Sequence, residues 1–161
     1  MAKIATFAVA VLLALVASAS TGNVEQPAGS IEARIQTVED MAAFKAAHSN
    51  LKLVPMDLFR GPRNQFIYTF GSRVAGDSLV AYLQYSWGPE DTPFDYHLML
   101  GYPQSGQGSV VSFVQVIVNQ SSALGQAYVV AGGVGQRYIQ VLVEAFDTTF
   151  FNSYTEVFGT G

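Results

Sequence analysis

The chain has 161 residues, with 8 Lys+Arg, 12 Asp+Glu and 2 His, a formal net charge of −4 and no cysteine. The length suits one domain, and 50% hydrophobic against 12% charged residues excludes a disordered chain. The acidic balance argues against direct binding of nucleic-acid phosphates, which calls for a basic stripe. The missing cysteines exclude disulfides, Cys-based zinc sites, iron–sulfur clusters and thiol nucleophiles.

Residues 1–19 read as a secretory signal peptide. Lys3 supplies the positive start, residues 4–16 are apolar apart from Thr6, and Ala17 and Ala19 are the small residues that precede a cleavage point after Ala19. The apolar run is shorter than the roughly 18–20 residues a membrane span needs, and no second run of that length follows. The expectation is a secreted, extracellular protein with no membrane contact once the signal is cleaved. Residues 20–30, with Gly22, Pro27 and Gly29, read as a flexible N-terminus.

Residues 31–63 read as a helical segment and a connection. Thr37 and Asp40 have capping-box spacing, in which a hydroxyl and an acid satisfy orphan amide donors. Val38, Met41, Ala42 and Lys45 fall on one face. Glu39 and Asp40 at the start and Lys45 and His48 near the end suit the helix dipole, and Asn50 is a stop signal. Ile31 and Ile35 fit the same face if the helix starts at Ser30.

Residues 64–161 read as a β domain. The runs 65–70, 78–87, 96–102, 109–118, 126–131, 136–146 and 150–158 are rich in Val, Ile, Tyr and Phe, the residues that suit strands. Gly71, Gly76-Asp77, Gly88-Pro89, Pro103, Gly106 and Gly125 separate them, and Gly132-Gly133-Val134-Gly135 reads as a hairpin connection. The fold predicted is mainly β: an antiparallel β-sandwich or barrel of about six to seven strands with one N-terminal helix. Alternation places Leu79, Ala81, Leu83, Tyr85 and Trp87 on one face, and Ile139, Val141, Val143 and Ala145 on another, with Gln140 and Glu144 opposite. The run 110–118 is apolar on both faces, which predicts a central strand covered on both sides; an exposed face used for self-association gives the same pattern.

Chemical motifs are sparse. No Gly-x-Ser-x-Gly elbow exists, and His48 and His97 are the only histidine bases. His48 falls at a helix end, where capping is ordinary. Asp95 and His97 share a strand face and could hold a metal or a proton, but no third ligand is in view, so a solvated polar pair is the simpler reading. Glu90, Asp91 and Asp95 form an acidic loop without EF-hand spacing. Gly133-Val134-Gly135 lacks the Lys-Ser/Thr ending of a phosphate loop. Asp77 reads as a turn former that bonds nearby amides. Catalytic residues, metal ligands and cofactors are therefore assigned as none. Asn119-Gln120-Ser121 is an N-glycosylation sequon, placed in a turn, with Asn119 the acceptor. The aromatics, Phe66, Tyr68, Tyr85, Trp87 and Tyr96 among them, either pack between sheets or enclose a small apolar ligand.

Three segments together resemble the insect family named after multiprotein bridging factor 2, many of whose members are described as salivary secreted peptides. Gly71-Ser72-Arg73-Val74-Ala75-Gly76-Asp77-Ser78-Leu79-Val80 is similar to the family's Gly-x-Arg-x-x-Gly-Asp-x-Leu stretch. The second segment is Val114-Gln115-Val116-Ile117-Val118-Asn119-Gln120, then Gly125, then Ala131-Gly132-Gly133-Val134-Gly135. The third is Tyr154-Thr155-Glu156-Val157-Phe158-Gly159. The resemblance covers about residues 66–159. The chain departs from the family where Asn119 replaces Asp and where Ala145-Phe146-Asp147-Thr148-Thr149 replaces a Ser-Gln-Arg-Gly stretch. The segment from Ser30 to Arg63, with its helix, is also longer than the family's. The resemblance implies a small secreted β domain without catalytic residues. It also carries a conflict, because the founding member is a transcriptional co-activator.

The signal-like leader decides the expectation in favour of secretion: a non-enzymatic β domain acting by binding or association with a protein, a surface or a small apolar ligand. Its partner is a protein or a second copy. Two alternatives stand beside it. One is a transcriptional co-activator, by analogy with the founding member. The other is a self-assembling extracellular structural protein, which low charge and two-faced apolar strands permit.

Overall fold

The computed structural model describes residues 34–38, 40–47 and 49–161. The expected signal peptide, the expected cleavage after Ala19, the N-terminus 20–30, Glu39 and His48 lie outside the described residues. Ten strands and one helix follow in chain order: β1 (Arg34–Thr37), α1 (Met41–Ala47), β2 (Val54–Pro55), β3 (Asp57–Arg60), β4 (Gln65–Gly71), β5 (Ser78–Trp87), β6 (Phe94–Tyr102), β7 (Val110–Gln120), β8 (Leu124–Gly132), β9 (Ile139–Thr148) and β10 (Phe151–Thr160).

They form two five-stranded sheets, β1-β6-β9-β8-β2 and β3-β4-β7-β10-β5, with every pairing antiparallel. The outermost strands of each sheet do not pair with each other, so the molecule is a sandwich and not a closed barrel. The seven strands read from composition correspond to β4 through β10. The other three are short and lie in the segment 31–63, read as a helix and a connection. Backbone pairing of Arg34–Thr37 with β6 makes that stretch a strand where a helical face was expected. The helix is confined to Met41–Ala47. Its cap is Asp40 and not Thr37: Asp40 Oδ1 accepts from the Ala43 amide at 2.9 Å, and Thr37 is spent on the sheet. The chain then passes from one sheet to the other within β2 and β3. Met56 is the hinge of that switch, buried and donating its amide to the Ala127 carbonyl at 3.0 Å.

The core lies between the sheets. Leu98, Leu100, Val129, Val141 and Val143 of the first sheet meet Phe66, Tyr68, Leu83, Val114, Val116, Val118 and Phe151 of the second. Tyr85 and Tyr96, one from each sheet, hydrogen-bond through their hydroxyls, and burial pushes the Tyr96 hydroxyl far above the ordinary phenol range. The aromatics fill this space rather than enclose a ligand: the gap lined by Leu83, Leu100, Val114 and Val141 has a volume of about 10 Å³, room for a water-sized sphere at most.

Two sequence expectations change at this level. β7 is central in its sheet, but only its Val114, Val116 and Val118 side is buried; Phe113, Gln115 and Ile117 on the other side are half-buried and face outward. In β5, the register jumps from Ala81 opposite Val157 to Leu79 opposite Phe158. That bulge at Val80 turns Leu79 away from the Ala81–Leu83–Tyr85 face, and Leu79 is exposed.

Candidate functional site

The motif residues converge on one corner of the sandwich. Gly71 ends β4 at φ 82°, where the chain turns through Arg73 and Asp77 into β5. The Arg73 guanidinium donates to both Asp77 oxygens at 2.7–3.0 Å. Asp77 Oδ2 also accepts from the Val74 amide at 3.0 Å and from Ser112 Oγ of β7 at 2.8 Å. The hydrogen bond from Arg73, then that from the Val74 amide, holds the Asp77 carboxyl well below the usual carboxylate range. The same guanidinium lies 3.6 Å from the ring centroid of Phe158 in β10. The hairpin loop between β8 and β9 closes the corner: the Gly135 amide donates to the Val111 carbonyl and the Val111 amide to the Gln136 carbonyl, both at 2.8 Å. Asp77 is thus a turn former, as its sequence context indicated, and the long-range partner Ser112 was not visible there. Its carboxylate has no free oxygen for acid–base work.

A second polar cluster sits on the outward side of the first sheet. His97, Glu144 and Gln126 are cross-strand neighbours on β6, β9 and β8. Gln126 Nε2 donates to Glu144 Oε2 at 2.6 Å, and His97 Nε2 lies 3.6 Å from Glu144 Oε1. Glu144 and His97 are both buried, and His97 Nδ1 has no hydrogen-bond partner. Burial holds His97 below its ordinary pKa, against the opposing pull of Glu144 and Asp95; the Lys45 charge of α1 lowers it further. The Asp95–His97 pair expected from sequence is not assembled. A second bulge, at the Phe94–Tyr96 pairing, carries the Asp95 carboxylate to the Asp147 amide at 3.0 Å, and His97 faces Glu144 instead. Glu144 was legible only as a polar residue opposite the core. No group of three or more His, Cys, Asp or Glu able to hold a metal occurs among the described residues. Glu90 and Asp91 are exposed.

The outward face of the second sheet is open. Its register lines up Phe59, Ile67, Ile117, Tyr154 and Gln84 in one row across all five strands. The next row is Asp57, Thr69, Gln115, Glu156 and Tyr82. Phe59 is 62% exposed, far beyond what a packing role allows for an aromatic ring, and Ile67, Ile117 and Tyr154 are half-buried. Tyr82 and Tyr154 meet edge to face, with ring centroids 4.5 Å apart. Desolvation, then a hydrogen bond to Glu156 at 2.9 Å, pushes the Tyr154 hydroxyl up to about 12. An apolar row with a polar border is the composition of a protein-contact surface. Asn119, the sequon residue, is exposed at the rim of this face. It lies in a strand and not in a turn, between Gln65 and Asn152, and its Oδ1 accepts from Gln65 Nε2 at 3.2 Å.

No curated protein and no solved structure gives a significant match to the chain. One family model does match, over residues 70–159, and its description is "Transcription activator MBF2". That description runs against the secreted binding domain expected from the leader and agrees with the co-activator alternative. The matched span starts at the last residues of β4 and ends in β10, so it contains the whole Arg73–Asp77–Ser112 corner and the Gly133–Gly135 loop. Because it covers more than half of the chain, the protein belongs to the MBF2 transcription activator family.

Proposed function

We propose that the protein is a transcriptional co-activator that works by protein contact and not by catalysis. The carrying observation is the family match over residues 70–159. It corrects the expectation of a secreted binding domain, which rested on the apolar leader and on the resemblance to secreted members of the family. The structure supports contact over catalysis in two ways: the motif carboxylate of Asp77 is consumed by its own turn, and the open face of the second sheet carries the Phe59–Ile67–Ile117–Tyr154 row. The net charge of −4 favours a DNA-bound protein as the partner over the DNA backbone itself.

The test is a reporter assay with a DNA-binding domain fused ahead of the full chain. Activation several-fold above the DNA-binding domain alone is the expected result. Ile117→Lys, which places a charge in the middle of the apolar row at a cross-strand cost of about 0.2–1 kcal/mol, should remove most of that activation while leaving the thermal transition nearly unchanged. A fusion that reaches the nucleus at equal level without activating would overturn the reading. Full activation by Ile117→Lys would move the contact to another face.

A further inference from the structure

We propose that two copies of the chain join through the free edge of β5, so that their second sheets become one continuous sheet across a two-fold axis. The proposal stands apart from the transcriptional reading. Among the described residues the sandwich has four sheet edges: β1, β2, β3 and β5. Three carry the features that keep an edge from pairing. β1 has four residues, β2 has two including Pro55, and β3 has four with Asp57 and Arg60 at its ends. β5 has ten residues, Ser-Leu-Val-Ala-Tyr-Leu-Gln-Tyr-Ser-Trp, with no charge and no proline. Its bulge at Val80 leaves residues 81–87 in regular register with β10. Among the described residues no other backbone group bonds to β5.

A strand that fills this edge must be uncharged and must alternate, with apolar side chains continuing the core and polar ones continuing the open face. β5 itself meets that requirement. Ala81, Leu83, Tyr85 and Trp87 are buried, and Tyr82, Gln84 and Ser86 face outward. Antiparallel pairing preserves faces only when both partners come from the same side, which a pairing centred on Leu83 satisfies. Leu83 then meets Leu83, Ala81 meets Tyr85, and Tyr82 meets Gln84. Small is set against large on the core side. On the open side a phenol meets a carboxamide, a pair that already hydrogen-bonds within one chain at 3.1 Å. The contact is isologous, so every favourable pair occurs twice. No like charges face each other, although each copy carries a net charge of −4. An interface built on one strand is smaller than the roughly 1,200–2,000 Å² of tight complexes, so dimerisation should depend on concentration.

Light scattering of the purified chain across a concentration series tests this, with two variants matched for the loss of Tyr82. Tyr82→Lys/Gln84→Lys sets lysine against lysine at both symmetry-related pairs. Tyr82→Lys/Gln84→Glu sets lysine against glutamate at the same places. The expected result is a reversible wild-type dimer, a dissociation constant raised at least tenfold in the Lys/Lys variant, and a dimer retained in the Lys/Glu variant. Equal thermal transitions of the two variants establish that both are folded. A wild-type chain monomeric throughout the series overturns the proposal. So does a Lys/Lys variant that dimerises as wild type does, or two variants equally dissociated, since the register is then wrong. β5 amides that gain exchange protection only when a different protein is added would give the edge to that partner's strand and overturn the pairing of copies.

Discussion

Asp77 and His97 are both ionisable and both constrained, and their environments act on them in different ways. Asp77 is pulled below its ordinary value of 3.8, chiefly by the hydrogen bond from Arg73. Its contribution to stability is therefore complete above about pH 4 and is lost as pH falls toward the depressed folded value. Asp77→Asn keeps the shape but loses the charge that holds Arg73 and the Val74 turn. We expect a melting temperature several degrees lower at pH 7 and a shallower loss of stability between pH 4 and pH 2, read by calorimetry across that range. An unchanged acid limb would mean the carboxylate contributes nothing to the fold. His97 is lowered by burial, so it too stabilises the neutral-pH state: its contribution is present above its ordinary value of 6.5 and declines as pH falls below it. His97→Gln should flatten the stability difference between pH 7 and pH 5 in urea titrations, and an equally steep difference in the variant would remove His97 as its source. The local half of the Asp77 role was legible, because Gly-Asp after a strand marks a turn. The Ser112 hydrogen bond to Asp77 and the Phe158 ring under Arg73 were not, since they depend on which strands become neighbours. The same applies to His97: sequence proximity favoured Asp95, and a single bulge gave it Glu144.

At the scale of elements, long strands were readable and short ones were not. β4 to β10 each carry seven or more residues, enough for β-branched and aromatic enrichment to stand out. β1, β2 and β3 have two to four residues and exist because a neighbouring strand offers pairing groups, so local composition holds no trace of them. Ile31 and Ile35 at helical spacing pointed the other way, and the pairing of Arg34–Thr37 with β6 overrode that local pattern. The turn from β4 to β5 shows what an element junction demands. Gly71 and Gly76 share nearly the same left-handed φ, 82° and 83°, but a Cβ at Gly71 would lie 2.3 Å from the Ser112 carbonyl oxygen, whereas at Gly76 it would meet nothing within 4 Å. Gly76→Ala should therefore cost only the conformational penalty, about 1–2 kcal/mol. Gly71→Ala adds a backbone clash that side-chain movement cannot relieve, and should exceed that by at least about 1 kcal/mol. Denaturant midpoints of the two variants decide it: equal losses would mean that β4 and β7 part easily at this end.

For the whole molecule, the span that identifies the family is not the span that folds. The family match begins at residue 70, yet β4 starts at Gln65 and supplies Phe66 and Tyr68, which are 0% and 1% exposed. β4 also lies between β3 and β7, so a chain starting at residue 70 would turn the eleven residues of β7 into an open edge and uncover Val116 and Val118. Truncating one buried aromatic typically costs about 3–5 kcal/mol; losing two, with their strand, is comparable with the whole stability of a domain, about 5–15 kcal/mol. Starting at residue 52 keeps β2, the Met56 crossing, β3 and β4, and among the described elements gives up only the four-residue edge strand β1 and α1, which has no buried residue. We expect the fragment 52–161 to melt in one cooperative transition and the fragment 70–161 to show none, by calorimetry and by dispersion of amide proton shifts. A cooperative transition in the shorter fragment would mean that the second sheet can re-form its edge around β7. The Ile117–Tyr154 part of the open face would then be available without β3 and β4. The contact surface would shrink to β7, β10 and β5, and Phe59 and Ile67 would drop out of it.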